Sequence, residues 1–197
     1  MKITKSKILL GIILVLAVIV LAVWFRYSSL KNQITLQKNE IDRLNRYVND
    51  LQIVSGLGVI GDVHLHADIA VYIGGKKIDL SQQKYQLKAK QVHVEDGRGD
   101  VVHVHVKGIT IGHFLNSIGI RLNGGCIETD EGKFCNTDKN KIKFYVNGKL
   151  IDEGSAYILK DLDRILISYG DESTGEIQTQ INSVTGNAKE FSNSEMG

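Results

Sequence analysis

The chain predicts an α+β domain joined to an amino-terminal helical anchor. Short Val- and Ile-rich runs alternate apolar with polar residues and are separated by Gly- and Asn-containing turns, which marks strands. One segment among them, near Phe114, has helical period instead. Before Ser55 the pattern is helical throughout, first uniformly apolar and then heptad-spaced. With 197 residues, a net charge of +2, 43% hydrophobic residues and two cysteines, the composition suits one domain with attachments.

Residues 1–7 precede an unbroken apolar run from Ile8 to Phe25. At a rise of about 1.5 Å per residue, this run covers most of a roughly 30 Å hydrocarbon core, so residues 8–25 are expected to form a transmembrane helix. The competing reading is a cleaved signal peptide, but the run exceeds the usual ~7–15 residues and no small-x-small cleavage site follows it. Lys2, Lys5 and Lys7 precede the span without an acidic neighbour, which leaves residues 1–7 cytoplasmic and the rest of the chain extracytoplasmic. Arg26 and Lys31 weaken that bias without reversing it.

Residues 27–55 read as a coiled-coil stalk. Ile34, Ile41 and Val48 fall seven apart at a positions, with Leu30, Leu44 and Leu51 at d. Beta-branched a and Leu d favour two parallel strands, so a parallel homodimer is the expected partner arrangement, helped by the shared membrane. The alternative is a lone amphipathic helix lying on the folded domain. Ser55, Gly56 and Gly58 then break the helix.

The folded domain is expected over residues 60–170. Gly74-Gly75 follows its first strand, Asp96-Gly97-Arg98-Gly99 separates two valine-rich runs, and Asn147-Gly148 suits a two-residue type I′ hairpin. Between them Thr110 can cap a helix in which Ile111, Phe114, Leu115 and Ile118 share one face and Gly119 follows the end. Residues 171–197 are expected to be a polar tail, mobile or loosely docked, with Ile177, Ile181 and Val184 enough for at most a short helix.

All six histidines lie between His64 and His113, and five of them alternate with apolar residues on strands. A strand sends successive side chains to opposite faces, so His64, His66 and Asp68 oppose Leu65, Ile69 and Val71. Likewise His93 and Glu95 oppose Val92 and Val94, and His103 and His105 oppose Val102, Val104 and Val106. A turn centred near Arg98 pairs His93 with His103, where opposed side chains start about 4.5–5.5 Å apart at Cβ. Neighbours two apart on a strand are roughly 6.5–7 Å apart at Cα, which two imidazoles bridge to one ion. His64, His66, His93, His103 and His105 are therefore the expected metal ligands, with Asp68 and Glu95 as further ligands or hydrogen-bond acceptors. Imidazole-rich sites without Cys or Met point to Zn(II) or Cu(II). Other readings are an ordinary polar strand face and a pH sensor. His113, inside the helix, is left out of the site.

Cys126 and Cys135 flank an Asp-Glu-Gly turn, so a hairpin would set them face to face as a disulfide outside the cytoplasm. A redox pair is the lesser reading, because the spacing is not C-x-x-C. The chain has no P-loop, G-x-G-x-x-G, G-x-S-x-G or H-E-x-x-H, and no basic stripe interleaved with aromatics, so neither those catalytic classes nor nucleic acid binding is expected.

Residues 141–170, KIKFYVNGKLIDEGSAYILKDLDRILISYG, resemble the closing strands of a β-grasp domain, in which a mixed sheet wraps around one helix. More broadly, H-x-H at His64 and His66, V-H-V-E-D-G at His93, V-H-V-H at His103 and His105, T-I-G-H-F-L and Cys126 resemble a family of membrane-anchored or exported archaeal and bacterial proteins with no assigned activity. Members of that family often carry a second His where this chain has Glu95. The resemblance spans roughly residues 60–170 and implies a fold unit, with metal binding through the same histidines. The expected function is metal capture or delivery outside the cell, with a metal-dependent enzyme or an interaction module with a structural metal as alternatives.

Overall fold

The computed structural model describes residues 5–194; residues 1–4, with Lys2, and residues 195–197 lie outside the described residues. The side chains of Lys5 and Lys7 are outside them too. The chain forms two compact units, residues 1–52 and 53–197.

Helix α1, Lys5–Ser55, 51 residues without interruption, makes up the described part of the first unit and ends three residues past it. It contains a segment long and apolar enough to cross a membrane. The apolar run and the heptad segment are thus one helix rather than two, since neither Gly nor Pro intervenes between Phe25 and Ser55 to stop it. Leu30, Ile34, Ile41, Leu44, Val48 and Leu51 are all exposed along it. The helix ends where Gly56 takes a φ of 70°.

The second unit follows in chain order as strands β1 (Leu65–Ile73), β2 (Lys76–Lys77), β3 (Val92–His93) and β4 (Val101–Val104), then helix α2 (Ile111–Ser117). Strands β5 (Arg121–Asn123), β6 (Cys126–Thr129) and β7 (Gly132–Cys135) form a small antiparallel sheet. Strands β8 (Lys141–Val146), β9 (Lys149–Ile151) and β10 (Arg164–Gly170) come next, followed by helices α3 (Thr174–Asn182) and α4 (Ala188–Ser194).

The main sheet runs β3-β4-β1-β10-β8-β9, with β2 paired to the end of β1. It is mixed: β1 and β10 are parallel, while β4 and β8 are antiparallel to their neighbours. The local turns form as their residues require. Both Gly74-Gly75 and Asn147-Gly148 have φ between 52° and 78°, the left-handed region a type I′ turn needs at both central positions. Helix α2 also starts and stops on its own signals. Thr110 Oγ1 accepts from His113 N while His113 Nδ1 accepts from Thr110 N, and Gly119 takes the left-handed conformation after the C-cap.

One face of the sheet carries the larger core: Ala67, Ile69 and Val71 of β1, Val102 and Val104 of β4, and Ile165 and Ile167 of β10 pack with Ile111, Phe114 and Leu115 of α2. Ile127 buries the small sheet against the same cluster, and a disulfide joins Cys126 to Cys135 at paired positions of β6 and β7.

The opposite face is covered as well, and this corrects the expectation of a polar, loosely held tail. Residues 174–182 and 188–194 are helical, and Ala70 and Leu166 of the sheet pack with Val184, flanked by Ile181 and Tyr145. Ser173 and Glu176 form a capping box that starts α3. A tail needs only a thin apolar stripe to dock when the receiving strand is buried on both faces and offers an apolar side chain such as Leu166, as β10 does. The histidine-bearing face of β1 is therefore largely enclosed.

Candidate metal centre

Three adjacent strands place the histidines in a row. His66 of β1 lies directly opposite His103 of β4, and His103 lies directly opposite His93 of β3. The His93–His103 register is the one expected from a turn near Arg98. Continuing the β1–β4 register sets His64 against His105, just beyond the strand ends, and His105 N still donates to Gln91 O at 2.9 Å.

The rings form one continuous group. Centroids of His66 and His103 are 4.7 Å apart, those of His64 and His66 4.8 Å, and those of His64 and His105 4.5 Å. His93 stacks on His105 at 5.1 Å and on His103 at 5.8 Å. Ligand nitrogens of His64, His66 and His103 all lie within 4.8 Å of one another, close enough to hold a metal ion. Bonds of 2.0–2.1 Å in a tetrahedron put ligand atoms about 3.4 Å apart, so small ring rotations close the site.

Burial is graded across the cluster. His66, His103 and His93 are 1%, 4% and 8% exposed, His105 is half-buried and His64 is exposed. The interior end is sealed by α4, where Phe191 packs 4.9 Å from the His103 ring and 5.5 Å from that of His66. The more exposed edge of the cluster is the one at His64 and His105.

Charge is disfavoured inside. The His103 imidazole is pushed down to about 3, first by burial and then by the neighbouring His66, His93, His105 and His64 rings. His105 is also lowered, by burial and then by His64 and His93, against an opposing pull from Glu95. Neutral imidazoles are the form that binds metal.

Polar neighbours fix the ring orientations. Asp161 Oδ1 accepts from Ser192 Oγ at 3.2 Å, so Ser192 Oγ in turn accepts from His66 Nδ1 at 3.2 Å. In that tautomer Nε2 of His66 carries the lone pair. His93 Nδ1 donates to Ala89 O at 2.9 Å, which likewise reserves its Nε2. Glu95 reaches His93 Nε2 at 3.2 Å and His103 Nδ1 at 3.6 Å.

Asp68, expected to supplement the ligands, is directed elsewhere. Its Oδ1 accepts from Thr185 Oγ1 at 2.5 Å, Asn187 N at 2.8 Å and Ala188 N at 3.2 Å, holding the start of α4. His113 serves the α2 cap, away from the cluster. Sequence reasoning missed Asp161, Phe191 and Ser192. They stand roughly 90 to 130 residues from the histidines they touch, and only the aromatic residue in a largely polar tail offered a signal.

Mixed-sheet α+β architecture, one helix fit to cross a membrane and a close histidine cluster define the class of protein. Comparison with protein-family models, curated proteins and solved structures finds no match.

Proposed function

We propose that this is a membrane-anchored, extracytoplasmic protein that captures or delivers Zn(II) or Cu(II) through its histidine cluster. The observation that carries the reading is the convergence of His64, His66 and His103 nitrogens within 4.8 Å on neighbouring strands of one sheet. An exposed His64 beside a buried His66 and His103 favours handover of an ion over a purely structural site. When bound, the ion would be held by those three rings, with His93, His105 and Glu95 beside it.

The anchor reading is supported by the length and apolarity of α1, and the orientation by the lysines before the apolar run. The exposed heptad stripe from Leu30 to Leu51 supports a parallel coiled coil with a second copy. A central parallel pair built from the first and last strands of the sheet, with one helix across it, supports a β-grasp-like domain. The paired H-x-H motifs support the family resemblance.

The test is calorimetric titration of the detergent-solubilised full chain with Zn(II) and Cu(II), with elemental analysis after desalting. The expected result is sub-micromolar binding, weakened at least tenfold in His64→Ala, whose exposed position spares the fold. A parent chain that retains no metal would end the proposal.

A further inference from the structure

Helix α4 covers the histidine cluster with little apolar hold of its own. Phe191 stands 4.9 Å from the His103 ring and 5.5 Å from that of His66, and Ser192 Oγ lies 3.2 Å from His66 Nδ1. Among the described side chains of α4, Ala188 alone is buried, while Phe191 and Ser192 are half-buried. Polar contacts hold the helix instead. Asp68 Oδ1 accepts from Thr185, Asn187 and Ala188, and Asn187 Nδ2 donates to Asp100 Oδ2 at 2.6 Å. Arg98 adds a contact to Glu190 at 3.5 Å and sets its guanidinium carbon 5.1 Å from the centre of the Phe191 ring. The end of α3 is anchored differently, by Val184 packed on Ala70 and Leu166. Between that apolar anchor and α4 lies Gly186, with open space where a side chain would stand. A short helix with few buried apolar contacts, following such a point, can open while the domain stays folded.

From this we infer that α4 is a lid over the metal centre, latched through Asp68, and that the ion changes hands when the lid lifts. This rests on the metal reading proposed above. An ion passes to an acceptor as incoming ligands replace the bound ones in turn. Of the three converging rings only His64 is exposed; His66 and His103 are 1% and 4% exposed, beneath Phe191 and Ser192. With α4 docked, an acceptor displaces one ring and leaves the ion on two. Lifting α4 bares both of those. The coupling is reciprocal: a helix that holds the ligands in place is itself held by the ion.

Diethyl pyrocarbonate, which acylates imidazole nitrogen, is applied to the metal-free full chain in detergent, and each histidine is read by peptide mass spectrometry. His66 and His103 should react at least about tenfold faster in Asp68→Ala and in Phe191→Ala than in the parent, with exposed His113 unchanged. The same chains, loaded with Zn(II) and desalted, are then mixed with the chelator pyridylazoresorcinol. Release should be at least about tenfold faster in both variants, and zinc should slow amide exchange over residues 187–192 of the parent. Phe191→Ala leaves the latch and β1 untouched, so it carries the test if Asp68→Ala disturbs the sheet. Parental rates of modification and release in a folded variant would overturn the inference and make α4 a fixed part of the domain. A parent that retains no zinc would instead remove the metal reading, and the exchange role with it.

Discussion

Replacing Asp68 with alanine should release α4 from the sheet while the rest of the domain stays folded. Asp68 is 2% exposed and its Oδ1 receives three hydrogen bonds from the segment entering α4. Bonds to a charged acceptor contribute about 1.5–3 kcal/mol each, so even at the low end three come to about 4.5 kcal/mol. The apolar contribution is smaller: Ala188 is buried and Phe191 half-buried, together about 2 kcal/mol at ~25 cal/mol per Å². The carboxylate therefore decides whether α4 stays docked. A change of about 4.5 kcal/mol in local opening is roughly two-thousandfold in amide protection. Hydrogen exchange read by mass spectrometry over residues 187–192 is the assay, with tryptic cleavage after exposed Lys189 as a second readout. Asp68→Asn, which keeps the shape but not the charge, should fall between. Unchanged protection in a folded Asp68→Ala chain would refute the reasoning and assign the docking of α4 to its apolar contacts.

Acidification should destabilise the metal-free protein. His103 has a folded pKa near 3, below its unfolded value of about 6.5, so the unfolded chain binds more protons between those values. Stability is fully present above pH 6.5 and falls as pH drops towards 3, by at most about 1.4 kcal/mol per pH unit for this group, measurable as urea midpoints across pH. Reducing the Cys126–Cys135 disulfide, which closes a loop of sequence separation 9, should cost about 2–3 kcal/mol by denaturant titration. Metal binding should be unchanged, because the hairpin lies in the other sheet. Gly99→Ala should destabilise by about 1–3 kcal/mol, since its Cβ would stand 2.3 Å from the Leu80 carbonyl carbon. Gly186→Ala, with open space around it, should not, and thermal melts of the two separate the effects.

What the sequence disclosed follows from how far each signal reaches. The alternation in HLHAD, QVHVED and VVHVHV assigns His66, His93 and His103 to a common kind of face because side-chain direction is local. The His93–His103 pairing was legible too, since one turn sets the register of two strands. Helix α2 declares itself through Thr110 and Gly119. The neighbour of β1 is another matter. Parity says which face His66 occupies but not that β4 lies beside it, 37 positions along the chain at the His66–His103 pair. Asp68 matched the metal pattern by parity, yet its partners come from Thr185, Asn187 and Ala188, which no local rule connects to it. The tail misled for the same reason: its few apolar residues acquire meaning only against Ala70 and Leu166.

The order in which the parts of the cluster leave the ribosome gives α4 a role in timing. The histidines are complete by His105, but the helix that seals their inner end begins at Ala188, roughly 80 residues later. At about 5–20 residues per second, that interval lasts on the order of 4–16 s. Through it, His66 and His103 remain reachable from the side that Phe191 later closes. A nascent chain therefore carries these histidines before the helix that covers them, and in the finished protein the exposed edge of the cluster is the one at His64 and His105.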